Sequence, residues 1–340
     1  MAVQLLPFEK PVFEMEQKLE ELRRFSEAQH IDVSNEILLM EQKIAETRRR
    51  IFSELSPWQI VQIARHPQRP YTRDYIQLWK CRFIELHGDR LYADDQAIIG
   101  GPAWLEGRRI MLIGSQKGRD TRTNVLCNFG CAYPEGYRKA LRLMRLADKF
   151  GWPIVTLIDT PGAYPGVQSE ERHIAEAIAV NLREMFRLRV PIIACVTGEV
   201  GSGGALGIGV GDRVLMLQYA YYSVISPEGC AAILWKDRAH ASRAAEALKL
   251  TAPDLLRYGM VDEVVPEAEG GAHRDPAKTA ALLKDAILRA LVPLTGISPA
   301  ELQKTRYEKF RRLGVVATAA PAASPVPHPP NIGVRTTGDA

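Results

Sequence analysis

Ile154-Val155-Thr156-Leu157-Ile158-Asp159-Thr160-Pro161-Gly162-Ala163-Tyr164-Pro165-Gly166 and Ile192-Ile193-Ala194-Cys195-Val196-Thr197-Gly198-Glu199-Val200-Gly201-Ser202-Gly203-Gly204-Ala205-Leu206-Gly207 follow one pattern. Each is a short apolar run, then a turn dense in glycine, then a helical periodicity. An apolar run of about five residues bounded by turn signals suits a strand buried on both faces of a parallel sheet. A glycine-rich turn between such a strand and a helix builds a βα unit, and ligands of open α/β sheets collect at these carboxyl ends. Working outward, strand-like runs recur at Ala97–Gly100, Ile110–Gly114, Val214–Leu217 and Tyr222–Ile225. Amphipathic helical segments alternate with them at Pro134–Phe150, Ser169–Leu188, Ala241–Leu248, Asp254–Tyr258 and Pro276–Leu291. The alternation predicts an α/β fold with a largely parallel, covered sheet.

The flanks differ. Residues 11–56 carry two apolar stripes at helical spacing, Val12, Met15, Leu19 and Leu22, then Ile37, Met40, Ile44, Ile51 and Leu55. Asp32 and Ser34 lie between them as turn and cap residues. The reading is a helical hairpin over residues 1–56, which either packs on the main body or meets another subunit. Residues 57–313 form the main domain. Residues 314–340, with Pro321, Pro325, Pro327, Pro329 and Pro330, have no periodic apolar face and read as a disordered Pro/Ala-rich tail.

Composition excludes several classes. With 340 residues, 46% apolar and 25% charged, the chain reads as globular. A net charge of +4 does not by itself argue for nucleic acid, and it suits a phosphate-bearing ligand. No basic run is interleaved with aromatics, so nucleic acid is not expected as a partner. No segment is apolar enough to span a bilayer or act as a secretory signal, so no membrane association is expected. The five cysteines are odd in number and scattered, which predicts a reducing, cytoplasmic setting. Cys127 and Cys131 lack the spacing of a zinc ribbon, and no metal is expected on this chain.

At the turns, glycine leaves no side chain between a ligand and the backbone N–H groups. At a helix start those groups lack intrahelical partners and face the positive end of the dipole. Gly203 and Gly204 are thus candidate donors to an oxyanion, the alternative being close helix–sheet packing through small residues. GxxxxGK[ST], GxGxxG, GxSxG and HExxH are all absent, against kinase, dinucleotide-dehydrogenase, serine-hydrolase and zincin readings. Glu170, Glu171, His173 and Glu199 lie near the turns but read as solvated charges. A mechanism in which the substrate supplies the base gains weight.

Longer motifs point further. Ala64-Arg65-His66-Pro67-Gln68-Arg69-Pro70-Tyr71-Thr72, Gly88-Asp89-Arg90, Gly114-Ser115-Gln116-Lys117-Gly118-Arg119, Pro134-Glu135-Gly136-Tyr137-Arg138-Lys139-Ala140, the Asp159–Gly166 loop and Ser226-Pro227-Glu228-Gly229-Cys230 lie within roughly residues 5–310. Together they resemble the alpha subunit of the bacterial and plastid acetyl-coenzyme A carboxylase carboxyltransferase. The family's usual Gly-Glu-Gly-Gly-Ser-Gly-Gly has Val200 in place of a glycine here, and the Asn124–Cys131 segment also departs from common versions.

The resemblance implies a crotonase-like fold of repeated ββα units and an α2β2 assembly with a carboxyltransferase beta subunit. The beta partner would bind acetyl-coenzyme A and carry the zinc ribbon. Biotin would arrive as carboxybiotin on a separate biotin carboxyl carrier protein, loaded by biotin carboxylase, with no cofactor covalently bound to this chain. The implied reaction gives malonyl-coenzyme A, the first committed step of fatty acid synthesis. Gly203 and Gly204 would stabilise the ureido anion left by carboxybiotin, and that anion would take the acetyl proton. Gly162, Ala163, Tyr164, Pro165, Gly166 and Gly201 would line the substrate site. Gln116, Lys117 and Arg119 would contact coenzyme A phosphates or the subunit interface, against a simpler reading as loop charges. Two alternatives stay open: a crotonase-type acyl-coenzyme A hydratase or isomerase acting alone, and a non-catalytic binding subunit.

Overall fold

The computed structural model describes residues 4–314. The tail expected over residues 314–340 lies outside them but for its first residue. Helices α1 (Lys10–Gln29) and α2 (Ser34–Ser53) form the hairpin, followed by α3 (Pro57–Ala64) and α4 (Thr72–Leu78). The turn works as its residues dictate: Asp32 accepts from both the N–H and the hydroxyl of Ser34. The hairpin packs on the body through Phe52 against Tyr219 and through Glu16, which accepts from Arg274 at 2.6 Å.

Strands β1 (Arg82–Phe83), β2 (Ile98–Leu105) and β3 (Arg108–Ser115) make an antiparallel meander. Helices α5 (Thr121–Leu126) and α6 (Pro134–Phe150) lead into β4 (Ile154–Thr160). Next come α7 (Val167–Glu171), α8 (Ile174–Met185), β5 (Ile192–Gly201) and α9 (Ser202–Leu206). The chain continues through β6 (Arg213–Leu217), β7 (Tyr221–Ser223), α10 (Pro227–Trp235), α11 (Ala241–Leu248) and α12 (Ala252–Arg257). Then come β8 (Glu263–Val265), α13 (Pro276–Leu291) and α14 (Pro299–Arg311). The sheet order is β1-β2-β3-β4-β5-β6-β8, parallel from β3 onward, with β7 on the far half of β5.

Every residue of β4 and β5 is buried, as near-continuous apolar strands of a covered parallel sheet should be. Their core includes Val155, Leu157, Ile193 and Cys195 against Met144 and Leu143 of α6. Helix α6 begins with Pro134 in its first turn and ends at Gly151 in the left-handed conformation, φ 67°, the usual start and stop signals. In α13, Asp275 caps the N–H of Lys278 ahead of Pro276.

Two expectations need correction. Ser169–Leu188 is not one helix: it breaks into α7 and α8 at His173, whose φ of 63° no α-helix tolerates. The strand expected at Tyr222–Ile225 runs instead over Tyr221–Ser223, where it pairs with Glu199–Gly201.

Candidate active site

The two glycine turns meet at the carboxyl ends of β4 and β5. Their backbones touch so closely that side chains are excluded. A Cβ on Gly204 would lie 2.3 Å from the Ala163 nitrogen and 2.4 Å from the Gly162 carbonyl carbon. One on Gly201 would lie 2.4 Å from the Pro161 oxygen. Gly203 is different: its nearest neighbour would be the Ile178 side chain at 3.7 Å, and it is half-buried. The turn therefore serves both readings of its glycines. Gly201 and Gly204 permit loop-on-loop packing, and Gly203 leaves backbone open on the outer side. The α-carbon of Gly204 faces the Gly162–Ala163 backbone and not open space.

Gly203 and Gly204 are the second and third residues of α9, so their N–H groups belong to the first-turn set without intrahelical partners. Ser202 opens the helix at φ 55°, a left-handed value that costs a non-glycine residue roughly 1–2 kcal/mol. This is a sharp strand-to-helix turn with an exposed serine. Serine chemistry needs a base, however, and the histidines with side-chain bonds are engaged elsewhere. His66 meets Gln4 and Gln68, His87 meets Asp94, and His273 meets Glu9.

The first turn holds its shape through Thr160, whose hydroxyl accepts from Gly162 N–H at 3.1 Å and lies 2.7 Å from the Gly130 carbonyl. Tyr164 donates its N–H to the Ala132 carbonyl and packs its ring on Tyr133, centroids 4.8 Å apart. Gly162 and Gly201 are buried, Ala163, Tyr164 and Gly166 half-buried, and Pro165 exposed.

Beneath the turns lies an ionic network that the sequence alone does not announce. Lys117 Nζ donates to Asp159 Oδ1 at 2.6 Å and to Glu199 Oε2 at 3.2 Å. Arg65 donates to Glu199 at 2.7 Å, to Glu228 at 2.5 Å and to the Tyr221 hydroxyl at 2.9 Å, and Tyr221 donates to Glu199 at 2.7 Å. Gly198 makes room for it, since a Cβ there would sit 2.8 Å from the Asp159 carboxylate. Burial alone would raise the pKa of Glu199, but the charges of Lys117 and Arg65 outweigh it and hold the carboxyl below its ordinary value. Burial prevails at Asp159, whose pKa is pushed up, with Lys117 opposing, and its Oδ2 has no partner. Glu199 is thus a buried, ionised, fully engaged group. That corrects its reading as a solvated charge and leaves it no capacity to act as a base.

The other proposed ligand residues do not converge on the turns. Gln116 accepts from Arg73 N–H at 3.0 Å and donates to the Lys117 carbonyl at 2.7 Å. Arg119 pairs with Asp74 and the Pro67 carbonyl, and stacks 4.1 Å above Tyr71. Lys117, held by Asp159 and Glu199, is a buried tie between strand ends. Cys127 and Cys131 are free thiols whose pKa burial pushes up. Among the described residues no helix is long and apolar enough to cross a membrane.

Solved structures share this architecture. Transcarboxylase 12S, with methylmalonyl-coenzyme A and methylmalonic acid bound, aligns with a TM-score of 0.52 at 24% identity, covering 66% of this chain and 42% of that one. A Pseudomonas malonate decarboxylase hetero-tetramer in complex with coenzyme A aligns with a TM-score of 0.50 at 16% identity, covering 64% of this chain and 89% of that one. The fold is the crotonase-like one of carboxyltransferases. Within that class, the model for "Acetyl co-enzyme A carboxylase carboxyltransferase-like" proteins matches residues 5–314, and the chain belongs to that family. Relatives described as acetyl-coenzyme A carboxylase carboxyl transferase subunit alpha include one from Synechococcus elongatus, 56% identical over 92% of this chain and 95% of its own length. That of Thermus thermophilus is 54% identical over 92% of this chain and 99% of its own. Family and fold make this chain a carboxyl transferase subunit.

Proposed function

We propose that this chain is the alpha subunit of a cytoplasmic two-chain carboxyltransferase that converts acetyl-coenzyme A to malonyl-coenzyme A in fatty acid synthesis. The observation that carries the reading is the family match across residues 5–314, with the glycine turn and its unpaired first-turn N–H groups inside it. The assembly is α2β2. The beta partner brings the zinc ribbon and the acyl-coenzyme A pocket, and biotin comes on its carrier protein after loading by biotin carboxylase.

The residues fit a carboxylated ureido ring. Carboxybiotin supplies the carboxyl group and, through its ring, the base for the acetyl α-carbon. The chain's own part is electrostatic. Gly203 and Gly204 direct N–H groups at developing oxygen charge, a kind of donor worth roughly 2.7–4 kcal/mol elsewhere. Loop 161–166 flanks the glycine turn, with Tyr164 braced by Tyr133. The Lys117–Asp159–Glu199 network fixes the spacing of the two turns. The engagement of Glu199, and the absence among the described residues of a histidine bonded to Ser202, both favour a base that comes with the substrate.

The test is reconstitution. Mixed with its beta partner, the purified chain should support biotin-dependent decarboxylation of malonyl-coenzyme A; alone it should be inactive. Appreciable turnover by the chain alone would point instead to a self-contained hydratase-like enzyme.

A further inference from the structure

Between α6 and α8, lined by no residue of the two glycine turns, lies a cleft of about 700 Å³, within the range of roughly 300–1,000 Å³ typical of small-molecule sites. Its lining includes Arg90, Arg138, Arg142, Arg145 and Arg172 against two carboxylates, Asp89 and Glu176. Most of these charges are accounted for. Arg138 donates to Asp89 at 2.8 Å, Arg172 to Glu135 at 3.0 Å and Arg145 to Glu184 at 3.2 Å. Asp89 is saturated on its other oxygen by the N–H groups of Leu91, Tyr92 and Ala93. Nearby Asp94 is taken by Lys139, Gly88 N–H and His87.

Glu176 has no ion pair among the described residues, and on the cationic side Arg90 and Arg142 are left over. Both donate to one acceptor, the His87 carbonyl, at 2.9 and 3.2 Å, and Arg142 also donates to the Gly88 carbonyl at 3.0 Å. Neither is paired with a carboxylate among the described residues. Two permanent cations are therefore fixed side by side by backbone carbonyls. Burial, and then the charge of Arg90, push the pKa of Arg142 down, yet guanidinium does not give up its proton near neutrality. The charges of Asp94 and Asp89 offset part of this repulsion, and a multivalent anion bridging both forks would relieve the rest. A phosphoryl group matches two guanidinium forks in shape and charge. Beside them, Leu91 and Tyr92 are 77% and 66% exposed, an apolar step for the body of such a ligand.

We propose that this cleft binds a phosphoryl-bearing small molecule, its phosphate on Arg90 and Arg142 and its organic part against Leu91 and Tyr92. The proposal goes beyond carboxyl transfer and does not depend on it. It has a physical route to the glycine turns. The Arg172 guanidinium lies 4.7 Å from the Tyr92 ring and 5.2 Å from that of Tyr133, and Tyr133 packs on Tyr164 of the first turn. A ligand on Tyr92 would act on that stack.

The probes are pyrophosphate and ADP, titrated calorimetrically into the full chain at low salt. Pyrophosphate should bind, and Arg90→Gln and Arg142→Gln should each weaken it tenfold or more. Arg289→Gln, which removes the same charge from an exposed pair with Glu263, should not. Tyr92→Ala should weaken ADP and spare pyrophosphate. Displacement of ADP by coenzyme A would assign the site to the phosphates of a substrate; failure to displace it would assign a free nucleotide. Melting curves confirm that each variant folds, and exposed Arg90 serves if Arg142→Gln does not. No saturable pyrophosphate binding below about 1 mM, or equal binding by all three arginine variants, would overturn the proposal.

Discussion

Lys117 donates to Asp159 across 2.6 Å and so ties the segment after β3 to the end of β4, directly under the first glycine turn. The same ammonium reaches Glu199, one residue before the last pair of β5. Replacing it with Met keeps the length of the side chain and removes the charge. Two buried carboxylates would then lack their shared partner, and breaking a buried pair in this way costs about 3–5 kcal/mol. Lys117→Met should therefore lower the melting temperature markedly and reduce carboxyl transfer. Were Lys117 a solvent-facing ligand for phosphates instead, the variant would keep its melting temperature and show a raised KM only.

Gly204 and Gly203 should behave oppositely. Gly204→Ala drives a methyl into the Gly162–Ala163 backbone, where no side chain can yield. Overpacking of this kind costs about 1–3 kcal/mol, so thermal stability and activity should fall together. Gly203→Ala meets only the Ile178 side chain at 3.7 Å and should melt near the wild-type temperature. Differential scanning calorimetry of the two variants separates the packing glycine from the open one.

The N-terminal segment should loosen in acid. His66 accepts from Gln68 N–H on Nδ1, so Nε2 carries the proton and donates to the Gln4 carbonyl at 2.7 Å. Burial holds its pKa below the ordinary 6.5. The unfolded chain thus takes up the proton first as pH falls. Stability from neutral His66 is present above that range and is lost as pH falls through the folded value. Glu9 acts in the same direction. Burial would raise its pKa, but the hydrogen bond and charge of His273 hold it down, so its contribution fades only at lower pH, below the ordinary carboxyl value of 4.5. Hydrogen exchange of residues 4–12 should speed up between about pH 7.5 and 5.5 relative to β4. Equal protection at both values would contradict this lock.

Much of the fold is legible in the sequence for local reasons. Helix α6 and helix α13 run over the same residues that their periodicity and flanking Pro, Gly and Asp signals predict. The central strands are legible as apolar runs because both faces of β4 and β5 are covered. Illegible features depend on distant partners. Arg69 is fully buried on Glu267, 198 residues away, and Arg65 reaches Glu199 across 134. No local pattern marks an arginine as internal. The break at His173 is equally hidden, because the apolar periodicity continues through it. The pairing of the two turns was legible as chemistry, while which glycine packs and which stays open required three dimensions.

Ser202 supplies a control for the site. Its exposed, left-handed placement mimics a nucleophile turn, but among the described residues no histidine is bonded to it. Ser202→Ala in the reconstituted enzyme should keep most of its activity, and Ser202→Gly, which relieves the positive φ, should be slightly more stable. Loss of turnover in the alanine variant would assign chemistry to the hydroxyl.

The central claim is that backbone N–H groups of this turn carry the catalysis, and the most direct measurement removes one without altering any side chain. Incorporation of glycolic acid at position 203 replaces the Gly203 N–H with an ester oxygen. In the enzyme reconstituted with its beta partner, the rate of carboxyl transfer should fall roughly 100- to 1,000-fold, the scale for loss of one oxyanion donor, with the melting temperature nearly unchanged. A rate equal to that of the wild type would contradict the account.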